Sequence, residues 1–233
     1  MKFRYEQKYL INFQDYTLLQ LRLKELLARD ENVTQDGSYT VRSLYFDDYY
    51  NHAYHDKYMG VPSRVKYRIR VYNQSESTIR LERKIKYDRY IQKQTSLLTK
   101  DEFYKILDGD YTFLLEKADL LSKIFYHECV SNLMRPRVMV EYEREPYVVN
   151  AGNVRVTFDS NIRAGLEGFD LFNSEMPMVE VLDPGMLVME VKFTEFLPNI
   201  IRKLLPHEAT DYAAVSKYVL CCDKTIHKRY SHV

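Results

Sequence analysis

The chain of 233 residues has no tryptophan, three cysteines, and seven each of glycine and proline. Cys129, Cys221 and Cys222 form no CxxC pair and no even set, which excludes a disulfide framework; reduced thiols in a cytosolic protein are expected. No apolar run approaches the ~20 residues of a membrane span. The opening MKFRYEQKYL has no signal-peptide core. A cytoplasmic protein is therefore expected, with recruitment to a membrane by a membrane-protein partner in trans left open. The GxxxxGK[ST] phosphate loop and the GxGxxG turn are both missing, so neither nucleotide-binding motif applies. A dominant sign of charge is missing too. With 34 basic and 33 acidic residues the net charge is +1, which gives no global pull toward nucleic acid or anionic membrane. No nucleic-acid partner is expected, and any anion site must be local. No linker, repeat or low-complexity stretch divides the chain, so residues 1–233 are expected to form a single domain.

Tyrosine and alternating charge are what the chain has in quantity. The 21 tyrosines suit strands and mixed polar interiors. Alternation predicts strands over 3–11, 39–46, 63–72, 77–87, 89–98, 136–149, 153–159, 178–182 and 187–193. Helical spacing predicts helices from Asn12 to about Ala28, over 47–59 and 101–107, and over 113–132. Two more follow near the C-terminus, one stopped by Pro206 and one starting near Thr210-Asp211. The pattern is that of an α+β fold with an antiparallel sheet.

Residues 64–70 place Arg64, Lys66, Arg68 and Arg70 at every second position of one strand, hence on one face. Neighbours on that face sit roughly 7 Å apart and repel by about 2 kcal/mol at an effective dielectric of about 20. The simplest reading of one such strand is a sheet with one face in water. Six segments with the same alternation argue otherwise: Glu6/Lys8, the 64–70 run, Glu82/Lys84, Tyr142/Arg144, Arg155/Asp159 and Glu190/Lys192. The opposite strand faces are apolar, as are stripes on several helices. The expectation is a closed antiparallel β-barrel tunnel of about eight strands, with helices packed on the outside and charged faces inside. A lumen lined with Arg and Lys needs a polyanion, because unpaired buried charge is costly. His52 and His55 stand three apart on a predicted helix with no strong third ligand nearby; surface or packing roles are expected for them.

The ordered set Arg4-x-Glu6-x-Lys8, Tyr45-Phe46-Asp47, Lys66-x-Arg68-x-Arg70, Leu81-Glu82-x-Lys84, Tyr142-x-Arg144, Arg155-x-Thr157-x-Asp159, Glu190-x-Lys192 and Ser216-Lys217-Tyr218 resembles the VTC domain. This is the polyphosphate polymerase domain of the vacuolar transporter chaperone complex, within the triphosphate tunnel metalloenzyme superfamily. The resemblance implies a metal-dependent phosphotransferase that moves the γ-phosphoryl of ATP onto inorganic polyphosphate, with Mn²⁺ or Mg²⁺ as cofactor. It implies catalytic roles for Lys66, Arg68, Arg70, Lys84, Arg144, Arg155 and Lys192. Phosphate contacts are implied for Lys8, Lys93, Tyr142, Arg163, Ser216 and Lys217, and metal binding for Glu190, with Glu82 and Glu6 after it. Hydrolysis of inorganic or nucleoside triphosphates in the same tunnel, and polyphosphate binding without catalysis, are the alternatives.

Overall fold

The computed structural model describes residues 5–26, 28–29, 37–87, 90–149, 151–194, 196–205 and 215–229. Along the chain run β1 (Tyr5–Asn12), α1 (Phe13–Leu26), β2 (Ala28–Arg29), β3 (Tyr39–Asp47), α2 (His52–Tyr58), β4 (Ser63–Tyr72), β5 (Ile79–Tyr87) and β6 (Tyr90–Leu98). Next come α3 (Lys100–Asp108), α4 (Leu120–Ser131), β7 (Arg135–Val149), β8 (Val154–Gly165), β9 (Met178–Glu180), β10 (Met186–Phe193), α5 (Asn199–Leu204) and α6 (Lys217–Arg229). The predicted strand positions at Phe3 and Arg4, the helix position at Leu27, the turn at Asn150, the stop at Pro206 and the helix start at Thr210-Asp211 lie outside the described residues.

All ten strands join one antiparallel sheet in the order β1-β10-β8-β7-β3-β4-β5-β6, with β2 and β9 pairing β7 and β8. Strands β1 and β5 stand first and seventh, so a flat sheet would hold them roughly 29 Å apart. The Lys84 ammonium of β5 nevertheless lies 3.0 Å from the Glu6 carboxylate of β1. The sheet therefore curls until its two ends face each other. Hydrogen bonds between the described strands do not close it: β1 and β6 stand at the two ends of the order, so the curl is shown and the expected closed barrel is not. Side-chain ion pairs join the facing strands.

Alternation sorts the strand residues between two faces. Tyr67, Ile69 and Val71 of β4 and Ile79 and Leu81 of β5 point to the convex side, under Phe103 and Ile106 of α3 and Leu121, Phe125 and Cys129 of α4. The other half of that side packs Val156 and Phe158 of β8 and Met189 and Val191 of β10 against Leu19 and Leu23 of α1 and Ile201 of α5. The predicted helix over 113–132 is interrupted: a 3₁₀ turn at Thr112–Leu115 precedes α4, whose N-cap Asp119 accepts the backbone N–H of Ser122.

Not every helix lies outside. Tyr218, Cys221 and Cys222 of α6 and Ala53 of α2 pack against Tyr45 of β3, Val138, Val140 and Tyr142 of β7, and Val188 of β10. Those strand positions share the concave face with Arg144 and Glu190, so the expectation of helices only on the outside is corrected. An apolar patch at one end of the concave face gives α6 something to bury against, and the helix brings Lys217 and Tyr218 inward with it.

On β8 the alternation breaks once. Asn161 adopts a left-handed backbone (φ 50°) at a bulge where the β7–β8 register shifts. Arg155, Thr157 and Asp159 face the concave side before it; Ile162 and Ala164 join the concave cluster after it. Arg163 is thereby turned to the convex side.

Phe125 is fully buried, with its ring edge-on to Phe46 at 5.1 Å and tilted against Tyr67 at 5.6 Å. Phe125→Ala is expected to cost about 3–5 kcal/mol in denaturant unfolding; a loss under about 1 kcal/mol would mean that α4 is not seated as described.

Candidate functional site

The concave face encloses a cavity of about 950 Å³ lined, among the described residues, by eleven lysines and arginines and two carboxylates, Glu6 and Glu190. Most of its cations come from neighbouring strands at every second residue. Arg64, Lys66, Arg68 and Arg70 rise from β4, Lys84 and Lys86 from β5, Arg144 from β7, Lys192 from β10 and Lys8 from β1. Lys57 of α2 and Lys217 of α6 complete the set.

Three arginines are held by fixed partners. Arg68 donates from Nε to Glu82 at 2.7 Å and from Nη1 to the Tyr45 hydroxyl at 2.8 Å. Arg70 donates to Ser43 at 2.9 Å and to the Tyr142 hydroxyl at 3.2 Å, both neutral oxygens. Arg144 makes a two-pronged contact with Asp159, both bonds 2.7 Å long. Asp159 is completely buried and also takes the Lys217 ammonium at 2.6 Å, so one carboxylate orients a strand residue and a helix residue together. Burial works to raise the Asp159 carboxyl, but Arg144 and Lys217 outweigh it and hold it down at about 2. Sequence reasoning quoted Asp159 in a pattern without giving it this task.

Glu6 of edge strand β1 and Glu190 of the adjoining β10 flank one lysine. Lys8 stands between them, 3.2 Å from Glu6 and 3.8 Å from Glu190. Lys84 approaches Glu6 at 3.0 Å, and Lys192 approaches Glu190 at 3.3 Å. Burial would raise both carboxyls; the surrounding lysines and Arg144 reverse this and keep both below the usual range. Burial also works against the charged form of Lys8, yet Glu190 and Glu6 raise it above an ordinary lysine.

The other lysines lack that compensation. Burial first, and then Lys8, Lys57 and Lys84, push Lys66 well below its ordinary value. Its ammonium has no carboxylate partner among the described residues; it donates to the Ser216 hydroxyl at 3.0 Å and lies 4.7 Å from the Tyr218 ring centre. Burial brings Lys192 down to about 8 despite Glu190, and burial with Arg64, Lys8 and Lys86 brings Lys57 to about 8. Lys84 and Lys86 are lowered by burial as well. Burial is the first cause of every one of these shifts, and neighbouring cations add to it. An anion entering the cavity meets cations that gain from its arrival.

The cavity brings together Lys8, Lys66, Arg68, Arg70, Lys84, Tyr142, Arg144, Lys192, Ser216, Lys217, Glu6 and Glu190 from the sequence-derived set. Four others stand apart. Glu82 is buried on the same concave face, opposite Arg68 and outside the cavity lining, and bridges Arg68 and Lys93 at 2.6 Å each. Lys93 is consequently committed to Glu82. Arg155 shares the concave face with Lys192 but is not in the cavity lining, and its Nη2 donates to the Tyr39 hydroxyl at 3.0 Å. Arg163, turned outward by the bulge at Asn161, pairs with Glu141 at 2.6 Å on the far side, where Glu141 also holds the buried Arg42. Lys57 went unnoticed in the sequence because a single lysine on a short helix shows no alternation; only the fold of α2 against the sheet brings it to the cavity.

A divalent metal would find two carboxylates in this cavity. Glu6 and Glu190 are hard oxygen donors on adjacent strands, each paired in register with a lysine (Lys192 and Lys8), and both approach the Lys8 ammonium. Among the described residues no group of three or more His, Cys, Asp or Glu side chains converges. This fits Mg²⁺ or Mn²⁺ of the kind held by one or two carboxylates together with substrate phosphates, and not an all-protein cage.

Comparison with known proteins accords with the geometry. A search of curated proteins finds no sequence match. Among solved structures, the chain is similar to an adenylyl cyclase-like protein from Hippeastrum described as having a dominant triphosphatase activity. That likeness has TM-score 0.57 and 14% identity, with 97% of each chain covered. A candidate adenylate cyclase from Bacillus halodurans is similar at TM-score 0.50 and 10% identity, covering 92% of this chain and 91% of that one. At such identities the likeness shows the fold, that of the triphosphate tunnel proteins. The family model described as the VTC domain matches residues 3–226, nearly the whole chain, and the protein belongs to the VTC domain family.

Proposed function

We propose that this protein is a polyphosphate polymerase, transferring the γ-phosphoryl of ATP to a growing polyphosphate chain held in the basic cavity. The observation that carries the reading is the enclosed excess of cations over carboxylates, which suits a ligand bearing several negative charges along its length. The attacking terminal phosphate is already anionic near neutral pH, so no strong general base is required. Catalysis then rests on positioning and on charge stabilisation.

In this reading Arg68, Arg70 and Arg144 grip phosphate oxygens, since the guanidinium fork suits two-point contact and their carboxylate, hydroxyl and phenol partners fix their aim. Arg155 adds charge from the neighbouring strand. Lys66, Lys84 and Lys192 act as point charges whose protonation the anion favours. Lys8, Tyr142, Ser216 and Lys217 extend the phosphate path toward β1 and α6. Glu190, then Glu6, would hold Mn²⁺ or Mg²⁺, which supplies extra charge neutralisation on phosphate oxygens. Glu82 is engaged by Arg68 and Lys93 and orients them. Lys93 contributes through this bridge, while Arg163 has no part in the path as folded. A cytoplasmic location with a membrane partner in trans is compatible with the finding that no described helix is long and apolar enough to cross a membrane.

A second reading, triphosphate hydrolysis, is favoured by the described activity of the Hippeastrum neighbour. Gel electrophoresis after incubation with ATP and Mn²⁺ separates the two. Lengthening polyphosphate is the expected result; orthophosphate and ADP without polymer would replace polymerase by triphosphatase. Neither product, with triphosphate bound, would leave a binding module.

Arg70→Ala is expected to weaken triphosphate binding by about 2 kcal/mol, roughly thirtyfold, because it removes a charged donor; calorimetric affinity unchanged within twofold would count against the cavity as the binding site. Glu190→Gln is expected to lower metal-dependent turnover roughly a hundredfold, and full turnover would remove Glu190 from the metal site.

Binding should also take up protons. Lys57 and Lys192 in the free protein sit at about 8, below the ordinary 10.5, and a bound anion restores their basicity. At pH 8, metal-free ATP titrated in buffers of different ionisation enthalpy should show net proton uptake, reduced in Lys192→Met. Proton release, or none, would contradict these assignments. The same linkage means that in the free protein both lysines cost stability below about pH 8. That cost fades as pH rises toward the unfolded value of 10.5.

A further inference from the structure

Asp47, the last residue of β3, is a buried carboxylate that no cation approaches among the described residues. Four hydrogen-bond donors meet it instead. Its Oδ1 accepts the backbone N–H of Asp48 at 3.0 Å and of Ala53 at 2.9 Å. Its Oδ2 accepts the backbone N–H of Tyr54 at 3.1 Å and the hydroxyl of Tyr218. Burial pushes this carboxyl above its ordinary value, and the hydrogen bonds only partly offset that. A buried charge held without a counter-ion is costly, so the contacts it makes must repay it.

Two of those contacts belong to α2. Asn51 precedes the helix in a left-handed backbone (φ 56°), and its side chain makes no capping hydrogen bond. Ala53 and Tyr54 are the second and third residues of α2, and their N–H groups have no acceptor within the helix. Asp47 reaches across the turn to accept both, and the positive end of the helix offsets part of its charge. The carboxylate is thereby fixed on the sheet side and on the helix side together.

The remaining contact carries that fixity into the cavity wall. Tyr218 is buried, with its ring stacked on Tyr45 at 5.1 Å and 30°. Stacking sets the plane of the ring, and the bond to Asp47 pins its hydroxyl end. On this ring rests the Lys66 ammonium, 4.7 Å from its centre. Lys66 has no carboxylate partner among the described residues; its other contact is the Ser216 hydroxyl at 3.0 Å, two residues before Tyr218. The aim of this cavity cation therefore depends on where α6 places one ring and one hydroxyl. Asp47 itself is not in the cavity lining.

We propose that Asp47 is a positioning residue for the anion cavity: anchored by α2, it holds the Tyr218 ring so that the Lys66 ammonium stays turned toward the bound anion. The inference rests on the anion-cavity reading above and adds to it a residue that touches no ligand. A carboxylate is needed for the task, because asparagine has a single accepting oxygen and would leave at least one of the backbone N–H groups without its partner.

The test measures affinity for inorganic triphosphate, without metal, by calorimetry on the full chain. Asp47→Asn and Tyr218→Phe are compared with the unaltered protein, each also in a Lys66→Met background, with circular dichroism to confirm folding. Asp47→Asn is expected to lower affinity about tenfold and Tyr218→Phe, which keeps the ring and drops the link, about fivefold. In the Lys66→Met background each should cost less than about twofold, because the cation they position is gone. A role in the fold alone would cost the same factor with or without Lys66, and that result overturns the proposal. So does unaltered affinity in either folded variant, and Tyr218→Phe decides the matter if Asp47→Asn does not fold. If Lys66→Met binds as tightly as the unaltered chain, Lys66 meets no anion and the proposal falls while the cavity stands on its other cations. If the unaltered chain binds no triphosphate, the anion-cavity reading itself falls.

Discussion

Four carboxylates hold a surface that would otherwise repel itself, and each is shared. Glu82 joins Arg68 to Lys93, Asp159 joins Arg144 to Lys217, Glu6 joins Lys8 to Lys84, and Glu190 lies among Lys8, Arg144 and Lys192. Cations at every second residue on adjacent strands cannot be enclosed without such bridges, since each unpaired buried charge costs several kcal/mol. The bridges also reach across structure. Glu6–Lys84 links two strands from opposite ends of the hydrogen-bonded order, and Asp159–Lys217 fastens α6 to the sheet. The curl of the sheet and the seating of the last helix thus depend on the same carboxylates that leave the cavity underneutralised.

Neutralisation stops short at a particular place. Arg68 and Arg144 are each paired with a carboxylate, whereas among the described residues Arg70 meets the hydroxyls of Ser43, Tyr142 and Tyr72, and Lys66 the Ser216 hydroxyl and the Tyr218 ring. Hydroxyls and aromatic faces can hold a cation in position without cancelling its charge. The wall is therefore aimed but still attractive to anions. This division between held and compensated cations gives the cavity its character more than the count of basic residues does.

The convex side carries a parallel lesson. Arg42, Glu141 and Arg163 form an ion triad there, enclosed with the backbone carbonyls of Leu171 and Asn173. Two guanidinium groups there share the one carboxylate of Glu141, and Arg42 also donates to those carbonyls. Two arginines of similar sequence context, Arg155 and Arg163, end on opposite faces because one left-handed residue, Asn161, intervenes.

Alternation alone determined much of this protein: which residues of 64–70, 82–84, 142–144 and 190–192 share a face, and that those faces are charged while their reverses are apolar. It follows from the two-residue period of a strand, a local property. The family pattern extended the reading to nearly the whole chain. Only the tertiary structure decided that the sheet curls until Glu6 of β1 meets Lys84 of β5, because curling depends on how the strands approach one another and not on any strand's own pattern. Only it decided that α6 and α2 sit on the concave side, which an apolar helix stripe cannot announce, since such a stripe packs equally well on either face. The bulge at Asn161 and the arrival of Lys57 at the cavity belong to the same class. Each depends on where one element lies against another, and a periodic sequence signal carries no information about that.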